Sequence, residues 1–440
     1  LAAQNPARYP CLLESVAYGT AQSRYDILFA FPQSRIILNA NYELRVEDGV
    51  CYPGKFLQIL DDSWQQARLP SSPSELPFHG GWILYLSYEL AGEVEPRLRL
   101  PVFPNHNLPI AMAIRCPAAI IVDHVRACTT LMVEQEYADL MPQLQTDFAS
   151  ISTSSPVDEI SLAQIQVEED NPEQFLTSVD RIHDYLRTGD VFQVNLSREW
   201  RAQFQSPVSP GVLYSCLRKA NPAPFAALLQ LDNWSLISSS PERLIEVRNG
   251  QIQTRPIAGT RPRFPGEDDT ARIQELLDHP KERAEHVMLI DLERNDLGRV
   301  CIPGSIEVNE MMAIESYAHV HHIVSNVRGQ LRPEITPGQA IAATFPGGTI
   351  TGCPKVRCME IIAELEGVGR GAYTGSIGYL NRNGSLDLNI LIRTLHYHEN
   401  KVRFRAGAGI VIDSIAEREL EETRAKARGM LRALGQAGKK

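Results

Sequence analysis

The chain of 440 residues has no apolar run of the ~18 residues that a membrane-spanning helix needs, and no membrane association is expected. It has no excess of positive charge: 43 Lys and Arg stand against 53 Asp and Glu, for a formal net charge of −10. A phosphate backbone needs a basic surface, so nucleic acid is excluded as the principal partner. The eight cysteines (Cys11, Cys51, Cys116, Cys128, Cys216, Cys301, Cys353 and Cys358) include no C-x-x-C pair and no zinc spacing. Free thiols in a reducing cytoplasm are expected. The opening LAAQNPARYP lacks the basic and apolar regions of a secretory signal. No internal repeat of fixed period occurs. The glycine-rich FPGGTITG, Phe345 to Gly352, matches neither phosphate-binding fingerprint, so no nucleotide site is expected there. Hydrophobic and charged contents of 43% and 22% are ordinary for a globular chain, and the length gives core for two or three domains.

The most informative stretch present is Pro280 to Arg299, PKERAEHVMLIDLERNDLGR, which reads as a helix. Pro280 suits the first helical position, where its missing N–H costs nothing. Val287, Leu289 and Ile290 supply apolar surface, and Gly298 helps end the element. Glu282 and Glu285, three apart, share a helical face. A second pair with that spacing, Glu419 and Glu422, lies in the last helical run. Two helices that each show two carboxylates could hold Mg²⁺, a hard cation that takes oxygen ligands. Charged helix faces are common, and on spacing alone two solvated, salt-bridged faces are the simpler account.

Residues 1–150 read as a strand-rich part, with strands at Tyr25 to Phe31, Arg35 to Leu38, Ala111 to Val125 and Cys128 to Val133 and a helix over Pro53 to Gln66. Residues 151–170 read as a linker, and residues 171–440 as a second, catalytic part. There Asn171 caps a helix in which Phe175, Val179, Ile182 and Leu186 recur at helical spacing. Val191 to Trp200 then alternates, with Gln193, Asn195 and Ser197 on one face. That polar face is expected to meet solvent. Strands follow from Phe225 to Ile257, then a helix over Glu267 to Asp278 before the Pro280 helix. Tyr317 to Val327 is strand-like, and Pro354 opens a helix to about Leu365. A meander of Tyr373 to Leu380, Ser385 to Tyr397 and Lys401 to Val411 precedes the final helix.

The ordered text GDVFQVNLSR, SSSPERLIEV, RPIAGTRPR, HPKERAEHVMLIDLERNDLGRV, YAHVHHIVSNVRG, FPGGTITGCPKVRCMEII, DLNILIRTL, AGAGIVIDS and ELEETRAKA spans roughly Asn171 to Leu434. It resembles the chorismate-utilising enzymes, the family of anthranilate, aminodeoxychorismate, isochorismate and salicylate synthases. The resemblance implies an α+β fold, a large two-part catalytic unit of β-sheets flanked by helices around a deep cleft. It implies chorismate as substrate and Mg²⁺ as cofactor, with Glu285 and Glu422 matching direct ligands and Glu282 and Glu419 acting through water. By the same resemblance Glu242 is the general acid, and His322 lies near the ring hydroxyl or ether. A carboxyl serves as an acid near neutrality only if its pKa is raised. Standing alone, Glu242 is a turn residue after proline. Thr260 and Thr349 match substrate-facing hydroxyls, and Arg393 and Lys426 match carboxylate clamps. Tyr373 and the backbone amides around Gly407 and Gly409 resemble the rest of that pocket. His319 and His321 match no role and are expected to be structural.

Gln193 stands where water-using members carry a lysine base, so ammonia from a glutamine amidotransferase subunit is the expected nucleophile. FPGGTITG, QVNLS and GSIGYL resemble the branch that makes aminodeoxychorismate for 4-aminobenzoate and folate. Ala258, in PIAGT, is instead the form of the anthranilate branch, because the other branch carries lysine there. Aminodeoxychorismate formation is the reading taken, with anthranilate formation as the alternative. Isochorismate formation and a silent binding subunit are further alternatives. CLLES and the run after it resemble a tryptophan pocket, with Ser15, Gln22, Ser23, Arg24 and Tyr25 facing Pro224 and Phe225. A packed strand turn is the other account of those residues.

Overall fold

The computed structural model describes residues 1–16, 23–46, 50–70, 75–101, 108–151, 165–231, 233–263, 269–316 and 320–436. Two large antiparallel sheets pack face to face. The first runs Gln166–Glu169, Gln193–Gln203, Lys401–Ile410, Thr394–His398, Trp234–Ser240, Phe225–Leu231, Cys11–Glu14, Tyr25–Ala30, Ala118–Asp123, Cys128–Val133. The second runs Ile257–Pro262, Val320–Gln330, Gln251–Thr254, Arg243–Arg248, Leu386–Asn389, Ser376–Asn381, Gly81–Leu86, Ala111–Cys116, Arg35–Leu38, Leu44–Val46, Val50–Tyr52. Strands from the first 150 residues are thus hydrogen-bonded into both sheets beside strands from the rest of the chain.

Phe29, Ile83, Tyr85, Ile114, Leu229 and Leu236 fill the space between the sheets. Helices cover the outer faces. Phe56–Ala67, Pro280–Gly298 and Pro337–Thr344 lie on the second sheet. Pro172–Arg187, Pro210–Ala220, Lys355–Glu366 and Ala416–Ala433 lie on the first. Each fully buried Leu, Ile or Phe in these layers contributes about 1.5–3 kcal/mol. Among the described residues no helix is long and apolar enough to cross a membrane.

Local chemistry explains the helix ends. Asn171 accepts a hydrogen bond from the Glu173 amide at 3.0 Å, as its capping role requires. Pro280 occupies the first turn after His279, whose Nδ1 accepts from the Glu282 amide at 3.4 Å. The Pro337–Thr344 helix was not expected, although its capping box, Thr336 with Gln339, stands in the sequence. Pro210–Ala220 and the strand Glu307–Ser316 were also missed.

Three of the crossings between sheets differ from, or sharpen, the sequence reading. Ala111 to Val125 is two strands in different sheets, broken at Pro117, which has no N–H to offer a ladder. Ser385 to Tyr397 likewise splits into Leu386–Asn389 and Thr394–His398, joined by residues 390–393. Trp234–Ser240 passes to Arg243–Arg248 through Pro241 and Glu242. The expectation of a solvated polar face on Val191 to Trp200 is overturned. The strand is Gln193–Gln203, and every residue from Gln193 to Trp200 is buried. It is an interior strand, paired on both edges and covered on both faces. His319 lies outside the described residues.

Candidate active site

Two neighbouring crossings hold each other and carry the central charges. The Ser239 amide donates to the Arg393 carbonyl at 3.2 Å, and the Ile390 amide donates to the Glu242 carbonyl at 3.0 Å. Ser240 Oγ donates to the Ile390 carbonyl at 2.5 Å. The turn at Pro241 is therefore interior, and Glu242 is only 7% exposed. Burial pushes its carboxyl up to about 7, while the adjacent Thr349 hydroxyl and the positive charges of Arg393 and Lys426 pull it back down. Among the described residues, the buried Glu242 Oε1 and Thr349 Oγ1 have no well-formed hydrogen bond. Arg393 sits at φ 53, a left-handed conformation that costs a non-glycine residue energy and marks a constrained site. Arg393 is partly buried. Burial lowers its pKa, and Tyr373, Glu242 and Glu422 oppose that shift.

The floor is the pairing of Gln193–Gln203 with Lys401–Ile410, which sets Asn195 opposite Gly409 and Ser197 opposite Gly407. A Cβ on Gly409 would fall 2.4 Å from Gln193 Nε2. One on Gly407 would fall 2.6 Å from the Leu196 carbonyl and 2.8 Å from both Asn195 Oδ1 and Tyr373 Oη. Both glycines are needed for close approach. Gln193 Nε2 donates to Glu285 Oε1 at 3.3 Å. Lys426 Nζ donates to the Gly407 carbonyl at 3.0 Å and pairs with Glu422 at 2.7 Å, one helical turn away. Burial raises the pKa of the Tyr373 phenol, so it stays protonated.

One wall is Ile257–Pro262 against Val320–Gln330, where Thr260 and His322 are register partners. The Thr260 side chain lies outside the described part of the chain. His322 Nδ1 is 3.3 Å from the Gly259 carbonyl, and burial pushes its pKa down to about 4. The ring is therefore neutral at physiological pH. Glu282 Oε1 accepts from Arg261 Nη1 at 2.7 Å.

Among the described residues no three His, Cys, Asp or Glu side chains are grouped to share a metal ion. Glu282, Glu285 and Glu422 contact Arg261, Gln193 and Lys426, while Glu419 is half-buried on its helix. The donor chemistry still fits a hard cation. All four groups are carboxylates, and Glu282 Oε2 is buried with no hydrogen-bond partner among the described residues.

Sequence reasoning missed two features. Asn195 is buried opposite Gly409 and donates to the Thr349 carbonyl at 3.4 Å, and its signal was the same two-residue alternation that was read as solvated. Glu293 and Asp296 are buried on the Pro280–Gly298 helix, with Lys355 paired to Asp296. Burial, then the Asp296 charge, raises Glu293, and Glu242 acts on it in the same direction. Their spacing of three was the signal available.

Ser15, Arg24, Tyr25, Pro224 and Phe225 line a separate cavity of about 580 Å³ that is not bordered by Glu242 or Gln193. Ser15 Oγ donates to the Pro224 carbonyl at 3.0 Å, and Arg24 pairs with Asp123 at 2.9 Å. Ser23 is buried and does not line the cavity. Gln22 lies outside the described residues.

Residues 15–432 match the family described as chorismate binding enzyme. The chain belongs to that family. Relatives of this chorismate-binding enzyme carry two kinds of name. It is 43% identical over 366 residues to an anthranilate synthase component I-like protein of Synechocystis, covering 82% of this chain and 74% of that one. It is 41% identical over 386 residues to aminodeoxychorismate synthase component 1 of Bacillus subtilis, covering 84% and 81%. The crystal structure of anthranilate synthase component I from Streptococcus pneumoniae TIGR4 superposes with a TM-score of 0.84 at 33% identity, over 93% of each chain. The α+β architecture expected from the sequence is the one observed.

Proposed function

We propose that this chorismate-binding enzyme aminates chorismate, and that its product is 4-amino-4-deoxychorismate. The observation that carries the reading is a buried Glu242 carboxyl, held up to about 7, with the charges of Arg393 and Lys426 acting on it. Arg393 and Lys426 bind the substrate's carboxylates, Arg393 in the planar two-pronged manner that suits it. Glu242 is protonated in a useful fraction near neutrality and gives its proton to the departing ring hydroxyl. Neutral His322 and the Tyr373 phenol orient the ring without adding charge. Gln193 cannot take a proton from water, whereas free ammonia already has its lone pair. Mg²⁺, held by Glu285 and Glu422 directly and by Glu282 and Glu419 through water, would neutralise the ring carboxylate as a Lewis acid. The ammonia would come from a glutamine amidotransferase subunit, which the relatives' designation as component 1 supports. The QVNLS and FPGGTITG motifs support amination at C4.

One observation favours a second reading. Ala258 is 6% exposed and offers no amine where a lysine would stand, which supports anthranilate formation instead. The deciding experiment incubates the purified chain with chorismate, Mg²⁺ and ammonium, with and without an aminodeoxychorismate lyase, and identifies products by chromatography with mass detection. The expected product is aminodeoxychorismate, turned to 4-aminobenzoate only when the lyase is present. Anthranilate formed without the lyase establishes the second reading. Chelation by EDTA is expected to stop turnover and added Mg²⁺ to restore it; turnover unaffected by chelation removes the metal from the scheme.

A further inference from the structure

Arg370 is only 2% exposed and makes five hydrogen bonds, as many as a guanidinium has N–H groups. Nε and Nη2 donate to Glu366 at 3.1 and 2.7 Å. Nη2 also donates to the Asn195 carbonyl at 2.7 Å, and Nη1 donates to the Ile350 carbonyl at 3.1 Å and to Thr374 Oγ1 at 3.4 Å. One side chain thus joins the strand Gln193–Gln203, the turn just after Thr349 and the end of the helix Lys355–Glu366. Its guanidinium carbon is 4.9 Å from the Tyr88 ring and 5.5 Å from the Tyr373 ring, both within cation–π range. Arg405 pairs with the same Glu366 at 2.9 Å, so two guanidiniums share one carboxylate. A buried ion cluster of this kind gains little stability over apolar packing, and stability does not account for it.

The segment that Arg370 holds is strained. Thr374 has φ 63, a left-handed conformation that costs a β-branched residue energy. Its hydroxyl accepts from Arg370 and donates to the Tyr373 carbonyl at 2.5 Å, while the Tyr373 amide donates to the Arg370 carbonyl at 3.2 Å. Tyr373 Oη lies beside Gly407, whose carbonyl accepts from Lys426. The charges of Arg370, Arg405 and Arg393 act on the phenol against its burial, which polarises the O–H toward an anion. We propose that Arg370 is a positioning residue for chorismate that acts through Tyr373: it pins the strained turn so that the Tyr373 hydroxyl donates to a substrate carboxylate. The inference rests on the reading of Tyr373 as part of the carboxylate pocket, and not on which product forms.

The test is a double-mutant cycle on chorismate binding, read as Kd by titration calorimetry with Mg²⁺ and without ammonium. Arg370→Lys keeps the charge and loses the fork. It is expected to raise Kd about tenfold in the parent and by less than about threefold in a Tyr373→Phe background, because residues that act together are not additive. If R370K does not fold by circular dichroism, Tyr88→Leu, which removes the other ring beside the guanidinium, enters the same cycle with the same expected pattern. An equal rise in Kd in both backgrounds marks a merely structural arginine and overturns the inference, as does an unchanged Kd in the parent. A parent chain that binds no chorismate overturns the pocket reading, and this inference with it, before any variant is made.

Discussion

Glu242 ties stability to acid strength in one side chain. Its folded value of about 7 lies above the ordinary 4.5. Between those two values the folded chain binds more protons than the unfolded one, so stability falls as pH rises through that window and stays lower above it. The shift corresponds to a penalty on the order of 3 kcal/mol at pH 8. Glu242→Gln removes the ionisable group. Urea unfolding is expected to show the variant more stable than the parent at pH 8 and equal to it at pH 4. Equal stability at both values would mean that the carboxyl is solvated. The same variant is expected to lose turnover by about 10²–10⁴-fold. The parent's activity should fall on the alkaline side of about pH 7 as the acid loses its proton. That limb should be missing from the residual activity of E242Q; a limb that persists there belongs to another group. The acid role was suggested by resemblance, but the cause of the shift was not legible. A serine, a proline and a glutamate in sequence describe a surface turn as well as an interior crossing.

At the scale of elements, the two glycines facing the strand Gln193–Gln203 have different jobs. A Cβ at Gly407 would meet the Leu196 carbonyl at 2.6 Å, which is backbone and cannot swing aside. Gly407→Ala is expected to destabilise the chain by about 1–3 kcal/mol through overpacking of the strand pair, measured as a lower urea midpoint. At Gly409 the close atom is the end of the Gln193 side chain, at 2.4 Å. Gly409→Ala is expected to fold with near-parent stability and to lose activity by displacing that amide. The reverse ordering of the two variants would place the tight approach at the other glycine. The helices after Asn171 and His279 were legible because their caps are local: Asn171, Pro172 and Pro280 act on the next few residues, whereas the helices Pro210–Ala220 and Pro337–Thr344 were missed. Strand crossings were not. Nothing in the period of Ala111 to Val125 says that the strand changes sheets, and only Pro117 hinted at it. Likewise the alternation of Gln193, Asn195 and Ser197 is the same whether that face meets water or lines a cleft.

For the whole molecule, the position of the early strands decides what can fold. Cys11–Glu14 lies between Phe225–Leu231 and Tyr25–Ala30 in the first sheet, and Gly81–Leu86 lies between Ser376–Asn381 and Ala111–Cys116 in the second. A fragment of residues 165–440 is therefore expected to lack cooperative unfolding, because both its sheets would end in unpaired interior strands. Sharp urea unfolding of that fragment, with native-like circular dichroism, would show that the later residues fold alone. The distribution of charge and cysteine said nothing of this arrangement; it is a property of pairing partners far apart in sequence.

The sharing of the first 150 residues between both sheets also bears on inheritance. A gene-level joint near residue 150 looks like a natural seam between two modules. Hybrids of two relatives spliced there would receive mismatched partners in both hydrogen-bond ladders at once. Viable recombinants should instead have drawn these strands and the Glu242 crossing from one parent, so the family's regions are expected to trace one common descent rather than separate ones.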